Sequence, residues 1–350
     1  MNRQPSHEYH RDDHLMNGQP ITEQPPATAA LRLGTRRSAL AMAQSGMVAR
    51  EVTRLTGRPV ELVEITTYGD TSREALAQIG GTGVFVSALR DALLEGRIDF
   101  AVHSLKDLPT AAPAGLVLAA VPEREDTRDA LVAAEGLALD ELVEKLAGAG
   151  RTARIGTGSP RRMAQLNAWA TARGAQLETV AIRGNVDTRI GYVTAGELDA
   201  VVLATAGLNR LGRGAEISQH LDPELMIPAP GQGALAIECT TANADLTVAL
   251  SALDHAPTRV AVAAERALLA TLEAGCSAPV AALATWGREN ELRLDGVVGN
   301  PDGSALLKMS ANGPIVLDET AEQQAAALGR ALADRLLGAG ADALMGERAR

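Results

Sequence analysis

The chain contains very few aromatic residues: Phe, Trp and Tyr together make up only 2% of its 350 positions. Proteins that hold single-stranded nucleic acid stack its bases on aromatic side chains, so this scarcity argues against that class. The formal net charge of -10 also provides no overall positive field that would attract nucleic acid or an anionic membrane. Hydrophobic residues still reach 46%, so the cores must be built from aliphatic side chains.

Cysteines and long apolar segments are scarce as well. The two cysteines, Cys239 and Cys276, are too few for a disulfide framework in a chain of this length. No apolar run approaches the roughly 18 residues that indicate a transmembrane helix. Residues 1–29 are polar and proline-rich, without the apolar core of a signal peptide. We therefore expect a disordered tail over 1–29 and a cytoplasmic, reducing setting.

Short predicted strands alternate with helices from Leu31 to about residue 240. The strands are LRL, VELVEITTYG, IDFAVH, LVLAAV, DALVA, ARIGTG, LETVAI, DAVVLA and ALAIEC. Such alternation predicts βαβ units and mostly parallel sheets. After about 252 the pattern changes to a helix over 258–273, a hairpin around NPDG and a last helix over 318–338. The fold class is therefore α/β, followed by a small α+β domain.

Basic residues follow the ends of several predicted strands, which is where ligands bind in α/β sheets. The loops concerned are GTRRS, HSLKD, GTGSPRR, RGNVDTR and TAGLNR. They contain Arg36, Lys106, Arg161, Arg162, Arg183, Arg189 and Arg210. Arginine binds carboxylates through a planar fork of donors. An acidic protein with arginine at these positions is predicted to bind a small polyanion.

The GTGSPRR loop has the pattern of a helix start, with Ser159 as N-cap and Pro160 as the first helical residue. Arg161 and Arg162 then lie in the first turn, where cations oppose the helix dipole. An anion bound at the free backbone N–H groups accounts for them. The alternative is a solvated basic turn that is paired with a nearby acidic side chain.

The HSLKD loop places Lys106 and Asp107 next to each other at a strand end. They are either an ordinary surface ion pair, which contributes little, or a site in which the carboxylate stabilises a cation. His103 ends an apolar strand and is interpreted as a core histidine rather than a base. The nearby match of GQGALA to a dinucleotide fingerprint is rejected, because it opens a strand rather than a helix.

The two cysteines differ in their surroundings. Cys239 lies in the apolar strand ALAIEC and is interpreted as inert packing. Cys276 lies in LEAGCSAPV, after Gly275, which fits a helix C-cap, and before Pro279. A thiol in such a loop is accessible, and covalent attachment, redox chemistry and chance remain open for it.

With these loops the chain resembles the porphobilinogen deaminase (hydroxymethylbilane synthase) family from about Leu31 to its end. The shared motifs occur in the family's order: GTRRS, GGTGVF, AVHSLKDLP, EREDTRDA, GTGSPRR, RGNVDTR, AGLNRLG, PAPGQGALAIE and LEAGCSAPV. The resemblance implies two lobes like those of type II periplasmic binding proteins and a small C-terminal α+β domain. The implied domains are 30–122 with 230–252, 123–229, and 253–350.

The resemblance also implies a transferase of tetrapyrrole biosynthesis. It condenses four porphobilinogen molecules head to tail with loss of ammonia, and water then releases hydroxymethylbilane. A dipyrromethane cofactor, built from substrate units, is attached by a thioether to a loop cysteine that corresponds to Cys276. The implied partner is this small-molecule substrate alone, with no nucleic acid, no membrane and no metal, and the implied state is a monomer.

Asp107 corresponds to the family's catalytic aspartate, which stabilises azafulvenium cations and holds pyrrole N–H groups. The cofactor-binding residues implied besides Cys276 are Arg36, Ser38, Lys106, Asp107, Thr157, Ser159, Arg161, Arg162, Arg183, Gly184 and Arg189. The substrate-binding residues implied are Arg36, Phe85, Arg161, Arg162, Arg183, Arg189 and Arg210. Asp70 corresponds to a further polar residue of the same cleft.

The chain departs from the family pattern at a few positions. Gln78 and Thr82 stand where some members carry lysines, and Gly158 stands where some carry serine. The main alternative function is a periplasmic-type protein that binds an organic anion without chemistry, but it leaves Cys276 without a role. A thiol redox enzyme would need a second nearby cysteine, which the sequence lacks.

Overall fold

The structure, a computed structural model, describes residue 1 and residues 29–66, 86–274 and 278–345. In these residues the backbone forms three sheets with helices packed on them. The helices are α1 (Ala39–Thr56), α2 (Ser87–Leu94), α3 (Leu139–Gly148), α4 (Pro160–Arg173), α5 (Val186–Thr194), α6 (Thr205–Arg210), α7 (Ala244–Ser251), α8 (Ala256–Thr271), α9 (Ala321–Gly338) and α10 (Ala341–Met345). None of the described helices has the length and hydropathy of a membrane span.

The first sheet belongs to the first lobe. Its strands are β1 (Leu31–Thr35), β2 (Val60–Glu64), β3 (Phe100–Ser104), β4 (Leu116–Ala120) and β10 (Leu235–Thr240). They lie in the order β2-β1-β3-β10-β4. Strands β1, β2 and β3 run parallel, whereas β10 is antiparallel to both of its neighbours. Local residues set the ends of helix α1: Ser38 Oγ accepts a hydrogen bond from the backbone N–H of Ala41, and Gly57 caps the C-terminus with φ of 67°.

The second sheet belongs to the second lobe and repeats this arrangement. Its strands are β5 (Asp129–Ala133), β6 (Ala153–Thr157), β7 (Leu177–Ala181), β8 (Ala200–Ala204) and β9 (Gln219–Leu221). They lie in the order β7-β6-β8-β5-β9. Strands β6, β7 and β8 run parallel, whereas β5 is antiparallel to β8 and β9.

The prediction of mostly parallel sheets is confirmed for four strands of each five-stranded sheet, which run in one direction, whereas β10 and β5 run against them. The chain leaves the first lobe along residues 121–128, here called the outward crossing, and enters the second sheet as β5. It comes back along residues 227–234, the return crossing, and joins the first sheet as β10. Both strands arrive from the opposite lobe rather than through a crossover helix, so the parallel rule for βαβ units does not apply to them.

The third sheet forms the C-terminal domain. It is an antiparallel meander of β11 (Val280–Trp286), β12 (Glu291–Gly299) and β13 (Leu306–Pro314). The predicted hairpin around NPDG is confirmed as β12–β13. Helices α8 and α9 cover the sheet and approach each other closely. A Cβ on Gly329 of α9 would lie only 2.2 Å from the carbonyl oxygen of Ala264 in α8, so glycine allows this approach. The fold class is thus α/β in two lobes, with a small α+β domain at the C-terminus.

Aliphatic side chains fill the core of each lobe, as the composition requires. Cys239 is part of the first lobe's core, with 0% of its surface exposed. Its burial raises the pKa of the thiol, so its interpretation as inert packing is confirmed. His103 is also buried, and its Nε2 lies 3.0 Å from Glu238 Oε2, as expected for a core histidine.

Glu265 of α8 joins the C-terminal domain to both crossings. It is 0% exposed. It accepts hydrogen bonds from Arg124 Nη1 and Nη2 of the outward crossing at 2.7 and 2.9 Å. It also accepts from the backbone N–H of Gly231 in the return crossing at 2.6 Å and of Ala284 in β11 at 2.8 Å. One buried carboxylate thus ties three parts of the molecule together.

We expect Glu265→Ala to lower the free energy of unfolding by about 3–5 kcal/mol, because it leaves the buried Arg124 guanidinium without its counter-ion. Urea titration monitored by circular dichroism measures this change. Glu51→Ala, at an exposed glutamate whose ionic partner among the described residues is Arg54, is the matched control and should change stability by less than about 0.5 kcal/mol. A similar, small loss for both variants would contradict the role given to Glu265.

Candidate functional site

The predicted basic loops lie at the carboxyl ends of parallel strands in both lobes, and the two edges face each other. Helix α1 of the first lobe meets α6 of the second, where a Cβ on Gly207 would lie 3.7 Å from Leu40 Cδ2. Arg210 Nη2 of the second lobe donates to the carbonyl oxygen of Gly233 in the return crossing at 2.6 Å. The loops therefore form one site between the lobes, as expected for sheets of this kind.

Lys106 and Asp107 lie in a single 3-10 turn, Leu105–Asp107, directly after β3. Leu105 anchors the turn, since it is fully buried and its N–H donates to the carbonyl oxygen of Ala234 at 3.0 Å. Gly231 packs behind the turn with φ of 74°, and a Cβ there would lie 3.3 Å from the backbone nitrogen of Lys106. The anchored turn leaves Asp107 exposed.

Lys106 belongs to a positively charged cluster rather than to an isolated surface ion pair. Burial lowers the pKa of Lys106 to about 8. Asp107 and Asp129 oppose this change, whereas the charges of Arg162 and Arg161 from the second lobe reinforce it. The positive charges of Arg161 and Arg162 therefore act on Lys106 across the gap between the lobes.

Arg161 and Arg162 lie in the first turn of α4, as predicted, but they are buried, with 4% and 5% of their surfaces exposed. Both donate to the carboxylate of Asp129. The alternative of a solvated basic turn is thus wrong, although an acidic partner is present. One carboxylate faces two guanidinium groups, so a net positive charge is left for a ligand.

Thr157 and Ser159 flank a close approach between two loops. Thr157 is fully buried and its Oγ1 accepts from the backbone N–H of Ser159 at 3.2 Å. Ser159 occupies the N-cap position of α4, but its side chain makes no capping hydrogen bond. A Cβ on Gly158 would lie 2.6 Å from the carbonyl oxygen of Ile182, so a residue without a side chain fits this contact best.

The loop after β7 brings Arg183 and Arg189 to the same edge. Gly184 has φ of 107°, a conformation that favours glycine, and its carbonyl oxygen accepts from Arg189 Nε at 2.9 Å. Burial lowers the pKa of Arg189, and the charges of Arg162 and Arg183 lower it further. These three arginines are therefore close enough to repel one another.

Of the remaining predicted residues, three lie in the described part of the chain and the others do not. Arg36, half-buried, and Ser38 lie after β1 at the edge of the first lobe, and the Ser38 hydroxyl caps α1. Arg210 lies at the end of α6, where burial lowers its pKa. Phe85 and Cys276, together with Asp70, Gln78 and Thr82, lie outside the described residues.

The site fits an acidic ligand. In the described part of the chain, the buried Nε atoms of Arg161 and Arg210 have no hydrogen-bond acceptor. A ligand with several carboxylates would supply acceptors and offset the repulsion among the cations. No group of side chains suited to a metal ion occurs in that same part of the chain.

Two residues that touch this cluster, Asp129 and Gln232, were not predicted from the sequence. Gln232 Nε2 donates to Asp129 Oδ1 at 2.9 Å, although 103 positions separate the two residues. Both lie in motifs on which the family resemblance rests, EREDTRDA and PAPGQGALAIE. Membership of those motifs was the one available signal, because neither residue follows a predicted strand end.

Comparisons with known proteins agree with this geometry. Residues 31–248 match the family model described as porphobilinogen deaminase, dipyromethane cofactor binding domain, and residues 260–338 match porphobilinogen deaminase, C-terminal domain. Porphobilinogen deaminase 1 of Streptomyces avermitilis is 65% identical over 323 residues, covering 91% of this chain and 98% of the relative. Porphobilinogen deaminase of Thermobifida fusca is 52% identical over 324 residues, covering 92% and 98%.

Among solved structures, the chain is similar to a periplasmic substrate-binding protein of an ABC transporter from Coxiella burnetii. The TM-score is 0.40 at 12% identity, covering 64% of this chain and 91% of that structure's chain. The sequence matches are much closer and extend over both lobes and the C-terminal domain. Together with the ordered motifs and the basic site between the lobes, they establish that the chain belongs to the porphobilinogen deaminase family.

Proposed function

We propose that this chain condenses porphobilinogen into hydroxymethylbilane, which is the hydroxymethylbilane synthase reaction, with four substrate molecules joined and ammonia released at each step. The observation that carries the proposal is the exposed carboxylate of Asp107 among cations contributed by both lobes. The acetate and propionate groups of a pyrrole substrate would bind to these cationic side chains. The carboxylate of Asp107 would stabilise a cation formed from that substrate.

When it is attached through Cys276, dipyrromethane supplies the pyrrole to which the substrate is added. The side chains that would hold its carboxylates are Arg36, Lys106, Arg161, Arg162, Arg183 and Arg189, with Ser38, Thr157, Ser159 and the Gly184 backbone as polar neighbours. Arg210 and Phe85 are assigned to the incoming substrate. The substrate also binds to the same arginines that hold the cofactor. Support comes from the shared site and from the buried donors of Arg161 and Arg210 that lack acceptors in the described residues.

Asp107 acts on charge. When the protonated amino group of the aminomethyl side chain of porphobilinogen departs as ammonia, the remaining methylene carbon and the pyrrole ring share a positive charge. A carboxylate held by an anchored turn offsets that charge without having to reorganise, which is the most effective form of electrostatic catalysis. The cations around it bind the substrate carboxylates and orient the ring.

Incubation of the purified protein with porphobilinogen tests this function. We expect ammonia release in equal amount to substrate consumed, and a linear tetrapyrrole as product in mass spectrometry. Binding of porphobilinogen without ammonia release would contradict the proposal and would favour the alternative of an anion-binding protein.

The pKa of Lys106 predicts a pH effect on substrate binding. Because this lysine loses its charge as the pH rises through about 8, KM for the acidic substrate should increase above that pH. Lys106→Arg keeps the positive charge and should flatten the KM profile between pH 7 and 9, since an arginine pKa lies above about 12. Steady-state kinetics across this range provide the measurement. An unchanged profile in the variant would contradict the assignment.

The lowered pKa of Lys106 also affects stability. Stability changes with pH in the opposite direction to substrate affinity. The pKa of Lys106 in the folded chain, about 8, lies below the ordinary value of 10.5, so the unfolded chain binds more protons between these pH values. Stability contributed by this group therefore rises with pH across that window. Weaker substrate binding above pH 8 thus cannot be attributed to unfolding through Lys106.

We further propose that the chain acts as a monomer in the cytoplasm. A cysteine that must be a free thiol before attachment suits a reducing compartment. We also propose the division into domains 30–122 with 230–252, 123–229 and 253–350. It is supported by the positions of the three sheets and of the two crossings.

A further inference from the structure

A buried carboxylate lies between the two arginines of α4. Asp129 begins β5 and is 0% exposed. Its Oδ2 accepts a hydrogen bond from Arg161 Nη1 at 2.7 Å, and its Oδ1 accepts from Arg162 Nε at 3.1 Å and Nη2 at 2.7 Å. Burial alone would raise the pKa of Asp129, but the charges of the two arginines hold it well below its usual range. The arginines therefore favour the charged form of Asp129.

The return crossing supplies a further donor to this carboxylate. Gln232 is 0% exposed, and its Nε2 donates to Asp129 Oδ1 at 2.9 Å and to the carbonyl oxygen of Thr127 at 2.8 Å. Both partners are acceptors, so the amide has only one orientation, and its Oε1 has no donor among the described residues. A buried acceptor without a donor costs free energy, so stability alone does not account for glutamine here.

The backbone around Gln232 packs closely against the outward crossing. Gly231 and Gly233 on either side have φ of 74° and 86°. A Cβ on Gly233 would lie 2.4 Å from the carbonyl oxygen of Glu125 in the outward crossing. The carbonyl oxygen of Gln232 itself accepts from Arg124 Nε at 2.7 Å. The two crossings are thus in direct contact at this point, and Gln232 lies within that contact.

We propose that Asp129, held by Gln232, is a positioning residue that presents Arg161 and Arg162 to the carboxylates of the acidic ligand. This inference rests on the proposed function. Without a fixed anion between them, the two guanidinium groups and the nearby Lys106 would repel one another. With Asp129 in place, the pair is assembled before the ligand arrives, which reduces the cost of ordering these side chains on binding.

Gln232→Met in the cofactor-loaded enzyme tests the inference. Methionine has a similar volume but cannot donate, and the change also removes the acceptor without a donor, so the fold should tolerate it. We expect KM for porphobilinogen to rise about tenfold, the equivalent of one hydrogen bond to a charged group. The kcat value should stay near that of the wild type, because Asp107 is not touched. The thermal unfolding midpoint reports whether stability has changed.

Gln165→Met is the matched control. Gln165 is also a buried glutamine bonded to the return crossing, since its amide exchanges hydrogen bonds with the backbone of Ile227 at 2.8 and 3.0 Å. It makes no hydrogen bond to Asp129, but it donates to the carbonyl oxygen of Arg161 at 3.3 Å and shares the carbonyl oxygen of Ile227 with Arg161 Nη1. Gln165→Met therefore removes a buried glutamine that supports Arg161 without Asp129. If it raises KM as much as Gln232→Met, Asp129 has no special role and the inference is overturned.

Asp129→Asn extends the test. Asparagine keeps an acceptor for the arginines but removes the charge, so KM should rise by more than in Gln232→Met. If that variant does not fold, Gln232→Met decides the question alone. An unchanged KM in Gln232→Met that carries the cofactor would overturn the role of Asp129 and leave the proposed function standing. A wild-type protein that never carries the cofactor would overturn the proposed function instead.

Discussion

Cys276→Ser should purify with the mass of the bare polypeptide and release no ammonia from porphobilinogen above the uncatalysed background. A hydroxyl is a far weaker nucleophile than a thiolate at neutral pH, so the serine variant cannot form the covalent link to the cofactor. Without a tethered primer the growing chain has no attachment point. Intact-mass spectrometry and an ammonia assay on the same preparation measure both effects.

Cys239→Ser is the control for this change. Cys239 is fully buried, its Sγ lies 3.3 Å from Thr247 Oγ1, and burial raises its pKa, which suppresses the thiolate. The variant should keep the adduct and its activity, with reduced stability at most. If Cys276→Ser also carries the adduct, the assignment of Cys276 as the attachment point is wrong.

Asp107→Asn has the second largest expected effect. Asparagine keeps the shape and part of the hydrogen bonding of the aspartate but removes its charge. Loss of one preorganised electrostatic group typically slows a reaction by about 10²–10³-fold. We expect that decrease in single-turnover ammonia release, whereas porphobilinogen should still bind. Asp107→Glu keeps the charge but displaces it, so its rate should fall between those of the wild type and the asparagine variant.

A suitable control for Asp107 is Asp140→Asn, at an exposed aspartate in α3 of the second lobe. It removes the same charge from the protein without changing the site, so its ammonia release should equal that of the wild type. Release by Asp107→Asn within a few-fold of the wild type would contradict the role of this carboxylate. Asp70 would then be the next candidate.

Local sequence signals predicted most strands of the lobes correctly. The ends of helix α1 are also set locally, because Ser38 and Gly57 supply hydrogen bonding and backbone conformation there without help from distant residues. Strand β11 was missed, since VAALATW is a run of small apolar residues without alternation, and its pairing with β12 decides its conformation. The short strand β9 was missed for the same reason: it exists through its pairing with β5.

The direction of β5 and β10 could not be read from the sequence either. Both have the apolar pattern of central strands, and that pattern does not record which lobe the chain came from. Their antiparallel pairing follows from the two crossings, which are a property of the whole topology. The expectation of mostly parallel sheets missed the one reversed strand of each sheet for this reason.

The candidate site shows the same limit. Basic loops at strand ends predicted Lys106, Arg161, Arg162 and Arg189 because the rule depends only on each strand and the loop after it. Asp129 is the first residue of its strand, and Gln232 lies in the loop before a strand. The rule that ligands bind after strand ends therefore selects neither residue. Their roles arise from contacts between distant segments, as the separation of 32 positions between Asp129 and Arg161 illustrates.

The most direct test of the central claim is the mass of the wild-type protein and of its peptide that contains Cys276. The account predicts an increase equal to two porphobilinogen units less two ammonia molecules, confined to that peptide. Each thioether or carbon–carbon bond formed releases one ammonia, so the increase reports two additions. A wild-type protein with the mass of the bare polypeptide, even after incubation with porphobilinogen, would contradict the account.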